Sequence, residues 1–407
     1  PRFTPRFLNL FLRTYRQHAD HILNNYSKQG NHLLFEAQRM LFAGIYFPEF
    51  REAAEWRRSG IEILNREIGV QVYPDGMQFE LDFGYHIAAI DIFLKALGMA
   101  RQNGFEEEFP ASYTETVHRM TTVTWNLLFP EYSNPMFGDT KSHDKASLLK
   151  QFRSWSRVFA DDRQLEWFAW EGNRGSRPDY TSQEFPQSGF YVLRTGWDPQ
   201  ATVTVVKAGP PAFWHNQPDN GTFDYWHRGR NFFPDSGAGS YGGSSETNAI
   251  RSRYGATTAH NTLTLDGKNV ASDGRMLLQQ TKANSTGSYE VLVLENPSYE
   301  GLTHRRSIFL VNNSFYVILD EGYGTAEGTV NLNFNITPGD DSQVVLDEAG
   351  FGFHTAFTDG NNLLVRTISD REMTFAEKQG FVAYNVLTDT YKETPRKAYQ
   401  LNVTKRA

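Results

Sequence analysis

Polar side chains crowd one short segment of the sequence, residues 213–223, which lies between two apolar runs. The segment reads FWHNQPDNGTF and contains His215, Gln217 and Asp219. A buried strand region accepts so many polar groups only when they satisfy one another or bind a metal ion or a ligand. Because an imidazole titrates near neutral pH, His215 is a candidate for proton transfer. We therefore predict a functional site in this segment.

Two earlier segments place polar side chains at the start of predicted helices. Asn31 and His32 precede an apolar helical repeat, and QFELDFGYH at 78–86 carries Tyr85 and His86. An amide, a phenol and an imidazole can hold or transfer protons. Each also has a structural explanation, since Asn is a common N-cap residue and a half-buried Tyr or core His is frequent. The residues alone leave both explanations open.

Oxygen and nitrogen ligands for a metal ion are available in the C-terminal half. Gln217, Asp235 and His260 could converge as a site with two oxygen ligands and one nitrogen ligand. No single spacing in the sequence demands this convergence. The alternative is an Asp in a turn and a solvated His on a strand.

Basic residues form two short clusters, HRGR at 227–230 and RSR at 251–253. Arg can grip a sulfate or carboxylate through paired hydrogen bonds. Arg228 and Arg230 are therefore candidates for binding an acidic ligand. A solvated loop explains the same residues equally well.

The sequence excludes several classes of protein. It contains no GxSxG, P-loop, HExxH or strand-associated GxGxxG motif, so serine hydrolase, kinase and nicotinamide dehydrogenase chemistry have no basis in it. The absence of cysteine excludes disulfides and thiolate metal sites. A net charge of −7 argues against a nucleic-acid partner. No apolar run approaches a membrane span, so we expect no membrane insertion.

The periodicity of apolar residues changes along the chain, and 407 residues predict two domains. Apolar residues recur at helical spacing as far as about residue 159, in pairs of predicted helices separated by short loops. Residues 173–188 are rich in Gly, Pro and polar residues and read as a linker. Beyond them the period becomes two. We predict helix pairs in 1–181, forming a bundle, a solenoid or an α/α toroid, and an antiparallel β-sandwich in 182–407.

The segments resemble the heparinase II/III superfamily of polysaccharide lyases, and most of all its heparinase III branch, the heparan-sulfate lyases of Bacteroidetes. The resemblance is carried by segments that follow one another in order over most of the chain: GNHLLFEAQRMLFAG (30–44), QVYPDGMQFELDFGYHIAAI (71–90), VVKAGPPAFWHNQPDNGTFDYW (205–226), NFFPDSG (231–237) and HNTLTLDGKN (260–269). It implies a multidomain α and β fold, an N-terminal α/α toroid followed by an antiparallel β-sandwich. Family members have more toroid helices, so the resemblance implies either that the toroid is incomplete here or that the missing N-terminal toroid segment is a separate partner.

The resemblance also implies an activity and a catalytic set. It implies β-elimination at a uronic acid of glucuronate-rich, sparsely sulfated heparan sulfate, with a periplasmic or secreted location. Asn31 matches the residue that neutralises the substrate carboxylate, Tyr85 the catalytic tyrosine, and His215 the catalytic histidine. His86 is expected to position the substrate or to hold Tyr85.

Further substrate contacts are expected from four residues. The resemblance brings His32 and Glu36 to the substrate cleft, and Arg228 and Arg230 carry a positive charge that suits an acidic polymer.

The resemblance makes the metal structural and assigns it to Gln217, Asp235 and His260. Other branches of the superfamily hold zinc with two His and one Asp, and Gln217 replaces one of those His residues. The harder ligand set suits calcium better than zinc.

Three alternative functions stay open. The first is a lyase for another uronate polymer: alginate, hyaluronan or chondroitin. The second is a non-catalytic glycan-binding protein. The third is a glycoside hydrolase, which needs a carboxylate pair such as two of Glu36, Glu80 and Asp82.

Overall fold

The structure is a computed structural model that describes residues 3–212, 214–215, 217–239, 243–271, 277–282, 289–338, 343–347, 349, 351–383 and 393–406. Helices come first and strands follow, as the change of period predicts. The α-helices are α1 Pro5–Asn24, α2 Gly30–Tyr46, α3 Ala53–Gln71, α4 Phe83–Gln102, α5 Ala111–Asn126, α6 Lys145–Trp155, α7 Arg163–Ala169 and α8 Ser245–Tyr254. Short 3-10 helices lie at Glu106–Glu108 and Thr257–Ala259.

The strands begin in the predicted linker and continue to the end of the chain. They are β1 Gln183–Phe185, β2 Phe190–Arg194, β3 Thr202–Lys207, β4 Thr222–His227, β5 Arg230–Asn231, β6 Leu263–Leu265, β7 Leu277–Lys282, β8 Tyr289–Tyr299, β9 Leu302–Val311, β10 Phe315–Tyr323, β11 Gly328–Asn335, β12 Val344–Asp347, β13 Gly352–Thr355, β14 Leu364–Arg366, β15 Met373–Ala383 and β16 Glu393–Lys405. The predicted strand FVAYNVL forms the end of β15 as far as Ala383, and its last four residues lie outside the described residues.

By the density of internal contacts the chain divides into two units. The first unit contains 1–79 and 85–122, and the second contains 80–84 and 123–407. This division falls earlier than the boundary between 181 and 182 that the sequence predicts, which stays a prediction.

In the first unit, α2 and α3 pack closely because glycine lies at both points of contact. A Cβ atom on Gly44 would lie 2.2 Å from the carbonyl oxygen of Ala53, and one on Gly60 would lie 2.4 Å from that of Ala37. Neither backbone can move without separating the helices, so larger residues are excluded at these positions. Trp56 packs beside this contact and is fully buried. The contact fixes α2, whose first turn carries Asn31.

Helix α4 corrects one prediction from the sequence. The helix has 20 residues, and an 18-residue window within it has a mean hydropathy of 1.3, so it is long and apolar enough to cross a membrane. However, 61% of that window is buried inside the protein, which is typical of a core helix. The statement that no apolar run approaches a membrane span is therefore too strong for this segment, although its burial still favours a core helix.

The described residues of the second unit form four antiparallel sheets whose inner faces share one apolar core. Their strand orders are β1-β2-β3-β4-β5, β10-β9-β8-β7, β15-β16-β11-β6 and β12-β13-β14. Side chains from all four sheets meet in the core, including Phe223, Ile308, Phe334 and Phe353. Alternation along each strand places one set of residues in this core and the other set outside. Strand β4 lies inside the first sheet, so the loop that precedes it has a rigid base.

Candidate active site

His215 lies in the loop between β3 and β4, where the sequence predicts a functional site. Part of the polar crowding there is satisfied internally. Lys207 Nζ and Asp219 Oδ2 form a buried ion pair at 2.7 Å, and the Gly209 amide donates to Asn220 Oδ1 at 3.2 Å. These bonds fix the two ends of the loop. Phe213 and Asn216 of the same segment lie outside the described residues.

Carboxylates lie against both nitrogens of the His215 ring. Nδ1 lies 3.1 Å from Asp139 Oδ2, and Nε2 lies 3.4 Å from Glu80 Oε2. Arg251 Nη2 donates to the same oxygen of Asp139 at 2.6 Å. All four residues belong to the second unit. They form a charged cluster that we call the His215 cluster: Glu80, Asp139, His215 and Arg251.

The charges of this cluster determine the titration of the histidine. Burial alone lowers the pKa of His215. The hydrogen bond to Asp139 and the negative charges of Glu80, Asp82 and Asp139 outweigh burial, so the pKa is raised above its usual value. The ring is half-buried, and its neighbour Trp214 is 55% exposed. A half-buried imidazole between carboxylates, beside an exposed indole, is a suitable arrangement for chemistry on a sugar.

Two of the three predicted metal ligands, Asp235 and His260, form a second polar cluster. His260 Nδ1 donates to Asp235 Oδ2 at 2.7 Å, and both residues are fully buried. Among the polar atoms of these three predicted ligands, the two that are buried without a hydrogen-bond partner in the described part of the chain are Gln217 Oε1 and His260 Nε2. Burial lowers the pKa of His260, but the Asp235 carboxylate outweighs it and raises that pKa. Two orphaned acceptor atoms of this kind are what a bound cation would satisfy.

Asn31 and His32 lie in the first turn of α2, in the first unit. The N-cap residue of this helix is Gln29, so Asn31 is not the cap, contrary to the structural explanation that its type allows. Within the described residues, its half-buried side chain makes no hydrogen bond. His32 is exposed. The amide of Asn31 is thus available to a ligand at the positive end of a helix.

Glu36, expected to bind substrate, is engaged within the protein. Its Oε2 accepts from the Ser27 amide at 2.6 Å, and its Oε1 accepts from the Ser27 hydroxyl at 2.8 Å. Both carboxylate oxygens therefore hold the loop before α2. These bonds argue against substrate binding by Glu36, which stays a prediction.

Tyr85 and His86 lie in the first turn of α4. Asp82 precedes this helix, and its Oδ1 accepts from the Gly84 amide at 2.8 Å, which makes it the helix cap. Tyr85 is half-buried. His86 is fully buried, accepts from the Gln78 amide at 3.2 Å and donates to the Met120 carbonyl oxygen at 2.9 Å. Of the two roles expected for His86, the geometry is against direct contact with substrate and favours holding the helix start next to Tyr85.

Arg228 and Arg230 do not lie near the His215 loop. Arg228 lies in the tight turn after β4 and Arg230 begins β5, whereas His215 precedes β4. The six residues of β4 alone span about 20 Å. Arg230 is also engaged: it forms a two-pronged pair with Asp359, at 2.9 Å for the shorter contact, and lies 3.9 Å from the Phe357 ring centroid. Because the charge of Arg230 is paired with Asp359, the pairing argues against substrate binding by Arg230, which stays a prediction.

Sequence reasoning missed the two partners that hold His215. Asp139 lies in an irregular loop with no periodic pattern, and Arg251 lies in α8, a helix that the sequence analysis does not predict. Glu80 was considered only as part of a hydrolase pair. The one signal in the sequence that could have pointed to Asp139 and Glu80 is an acidic side chain within a largely apolar segment.

The second unit also contains a cavity of about 330 Å³ with aromatic walls, including Trp125 and Trp167, and with Arg194 at its edge. Arg194 donates to the carbonyl oxygens of Asn126 and Leu128. None of the sequence-predicted site residues lines it. The cavity is therefore separate from the His215 cluster.

Comparison with known proteins identifies the family. Residues 1–167 match the family model "Heparinase II/III N-terminus", and residues 177–407 match "Heparinase II/III-like, C-terminal". A curated heparin-sulfate lyase of Bacteroides stercoris is 47% identical over 386 residues, which cover 94% of this chain and 56% of the relative.

Solved structures agree with the sequence relatives. A heparinase III gene product has a TM-score of 0.90 and 46% identity, over 99% of this chain and 62% of that one. A second structure, titled heparinase III, has a TM-score of 0.93 and 34% identity, over 100% of this chain and 64% of that one. The present chain thus spans a little under two thirds of these structures. The predicted fold class, toroid helices followed by an antiparallel β-sandwich, is confirmed. This chain belongs to the heparinase II/III family.

Proposed function

We propose that this protein is a polysaccharide lyase that cleaves heparan sulfate by β-elimination at glucuronate. The observation that carries the proposal is the match of both family models along the chain, combined with a histidine held between two carboxylates. Proteins named heparin-sulfate lyase are 36–47% identical to it.

The first requirement of the reaction is to make the C5 proton of the uronate acidic. The proton is removable only if the neighbouring carboxylate is neutralised, because the charge left on C5 spreads into that group. Asn31 is suited to this task, since its amide can donate to a carboxylate oxygen. Its place in the first turn of α2 adds the positive end of the helix dipole.

The second requirement is a proton acceptor for C5 and a donor for the leaving O4. In glucuronate both lie on one face of the ring, so a single phenol, Tyr85, can take the first proton as phenolate and protonate O4. In iduronate they lie on opposite faces, and a second group is needed. His215 supplies an imidazole for that task, with Nδ1 committed to Asp139. The bond between C4 and O4 breaks, and a C4–C5 double bond forms.

The rival hydrolase mechanism has less support. It needs two carboxyl groups flanking the scissile bond. Glu80 and Asp82 are buried, with Asp82 capping α4, and Glu36 is bonded to Ser27. No exposed pair remains among these three candidates.

Incubating the protein separately with heparan sulfate, heparin, hyaluronan, chondroitin sulfate and alginate tests the proposal. The C4–C5 double bond made by elimination absorbs near roughly 230 nm, whereas hydrolysis makes no such bond. We expect absorbance to rise with heparan sulfate and to rise most slowly with the most highly sulfated polymer. Chain shortening without absorbance would favour hydrolysis, and binding without shortening would favour a glycan-binding protein.

We also propose a structural divalent cation held by Gln217, Asp235 and His260, with calcium favoured over zinc. The two orphaned buried atoms, Gln217 Oε1 and His260 Nε2, support the fit. Asp235 orients the His260 ring through Nδ1 and leaves Nε2 for the metal. The cation would stabilise the junction behind the His215 loop, and no step of the elimination passes through it.

Removing the cation should lower the melting temperature of the wild-type protein by about 5 °C, because a ligand that binds only the folded state stabilises it. The measurement is thermal unfolding with and without a chelator, followed by adding back Ca²⁺ or Zn²⁺. Gln217→Ala should abolish the chelator effect, while Gln187→Ala, at an exposed position, should keep it. Equal melting temperatures of the wild type with and without chelator would contradict the site.

A further inference from the structure

The aromatic cavity of the second unit is used by no step of the proposed elimination. Its volume is about 330 Å³, within the range of about 300–1,000 Å³ that is typical of small-molecule sites. Its lining comes from three elements: Trp125 from the end of α5, Trp167 from α7 and Arg194 from the end of β2. The cavity therefore needs an explanation of its own.

The aromatic walls of this cavity are packed against one another. The rings of Trp125 and Phe168 stack with their centroids 5.5 Å apart, and the Trp197 ring meets Phe168 edge-on at 5.3 Å. The indole nitrogen of Trp197 also donates to the Tyr180 carbonyl oxygen at 2.6 Å. Trp167 is partly exposed, so a ligand can reach its indole. Fixed walls reduce the ordering cost of binding.

Arg194 brings a buried positive charge to the cavity. The residue is 2% exposed, and its Nη2 donates to the carbonyl oxygens of Asn126 and Leu128. Its Nε is buried without a hydrogen-bond partner in the described part of the chain. Among the residues that the structure describes, Nη1 has no hydrogen-bond partner and the guanidinium has no carboxylate partner.

The charge of Arg194 is therefore uncompensated. Burial lowers the pKa of Arg194 to about 9, so the guanidinium still carries its charge at neutral pH. Buried charges in proteins are normally paired, because burial without a partner is costly. Carbonyl oxygens supply only dipoles, whereas an anion in the cavity would supply the missing charge through charge-assisted hydrogen bonds.

The other charged residues of the cavity do not fill this role. Lys145 Nζ and Glu171 Oε1 pair with each other at 2.5 Å. Asp198 is exposed, and its Oδ1 accepts from the Gln200 amide at 2.9 Å. An exposed carboxylate is screened by water and contributes little to a buried charge at a distance.

We infer that this cavity is a second saccharide site, which binds one acidic pyranose through its carboxylate or sulfate group. Arg194 binds the acid, and Trp167 with the other aromatic walls covers the apolar C–H face of the sugar ring. An inorganic anion would leave the aromatic walls without a contact, and a neutral sugar would leave the guanidinium without a counter-charge. The choice of an acidic sugar rests on the proposed function, since heparan sulfate carries both acids.

The test uses sugars that cannot be cleaved: methyl β-glucuronide, N-sulfoglucosamine and the neutral methyl β-glucoside. The protein is labelled with 5-fluorotryptophan, and Trp167→Phe assigns the ¹⁹F signal of Trp167. We expect this signal to shift saturably with at least one acidic sugar, with a Kd of about 1 mM for so small a ligand. The tighter of the two acidic sugars identifies the preferred acid. The glucoside should bind at least about tenfold more weakly, since it makes no charged hydrogen bond.

Arg194→Met should weaken binding of the acidic sugar at Trp167 by at least about tenfold. Arg174→Met is the matched control. Arg174 is exposed and also lies over an indole, 5.0 Å from the ring centroid of Trp170, but it does not line the cavity. The control should bind as the wild type does. The comparison of acidic with neutral sugars needs no variant, so a folding defect in Arg194→Met leaves the test intact.

The outcomes separate this inference from the proposed function. A Trp167 signal that no acidic sugar moves, or that the glucoside moves at the same concentrations, overturns the inference. Binding by folded Arg194→Met within about twofold of the wild type also overturns it, because the charge would then be irrelevant. The proposed function fails separately, if the wild type forms no unsaturated product from any polymer, and the ¹⁹F signals do not depend on turnover.

Discussion

Replacing Tyr85 by Phe should reduce turnover of glucuronate-rich heparan sulfate by about 1000-fold, because removal of one proton-transfer group costs 10²–10⁴-fold and this phenol serves two steps. The ring and its place in the first turn of α4 are kept, so the affinity for the polymer should change little. The measurement is the rate of formation of the unsaturated product, together with binding of intact heparan sulfate to the variant by calorimetry.

Tyr46→Phe is the matched control for this prediction. Tyr46 lies at the end of α2 in the same unit and is 55% exposed, and its replacement removes the same hydroxyl group without touching the proposed machinery. It should turn over as the wild type does. Turnover by Tyr85→Phe above a tenth of the wild-type rate would mean that the phenol carries no essential proton. Loss of binding along with turnover would instead mean that Tyr85 holds the sugar.

The order of elements could be predicted because it depends on local patterns. Helical spacing ends and strand alternation begins within one stretch of chain, and each pattern needs only neighbouring residues to be recognised. The ends of the helices also depend on neighbouring residues: Pro48 follows α2, and Gly104 follows α4 with a φ of +79°. Helix α8 escaped prediction because its mean composition is polar and it presents one buried side chain, Tyr254.

The partners of the site could not be predicted, since they are distant in sequence. Arg251 and Asp139 are 112 positions apart, and Arg230 and Asp359 are 129 apart. No local pattern tells which arginine is paired and which acid holds a histidine. Arg230 was therefore expected to bind substrate, and Asp139 was not considered. The resemblance to a family, and no local pattern, supplied Asn31, Tyr85 and His215 as a set.

Lowering the pH should destabilise this protein through His86 in particular. Burial lowers the pKa of His86 from 6.5 to about 4, against a smaller opposing effect of its bond to the Met120 carbonyl. The unfolded chain therefore binds a proton at a pH where the folded protein does not. Above pH 6.5 the histidine has no effect on stability; as pH falls from 6.5 to 4, it should cost up to about 3 kcal/mol of unfolding free energy. Below pH 4 both states are protonated and the loss stops growing.

Urea unfolding of the wild type and of His86→Gln at a series of pH values between 7 and 4 isolates this effect. A Gln side chain can still accept from the Gln78 amide and donate to the Met120 carbonyl, but it does not titrate. The other ionisable groups are common to both proteins, so their contributions cancel in the difference. The stability of the wild type relative to the variant should therefore decline steadily below pH 6.5. The control, His18→Gln, replaces an exposed histidine of α1 and should show no such decline. A constant difference between wild type and His86→Gln across the range would contradict the prediction, because it would show that His86 binds its proton at the same pH in the folded and the unfolded protein.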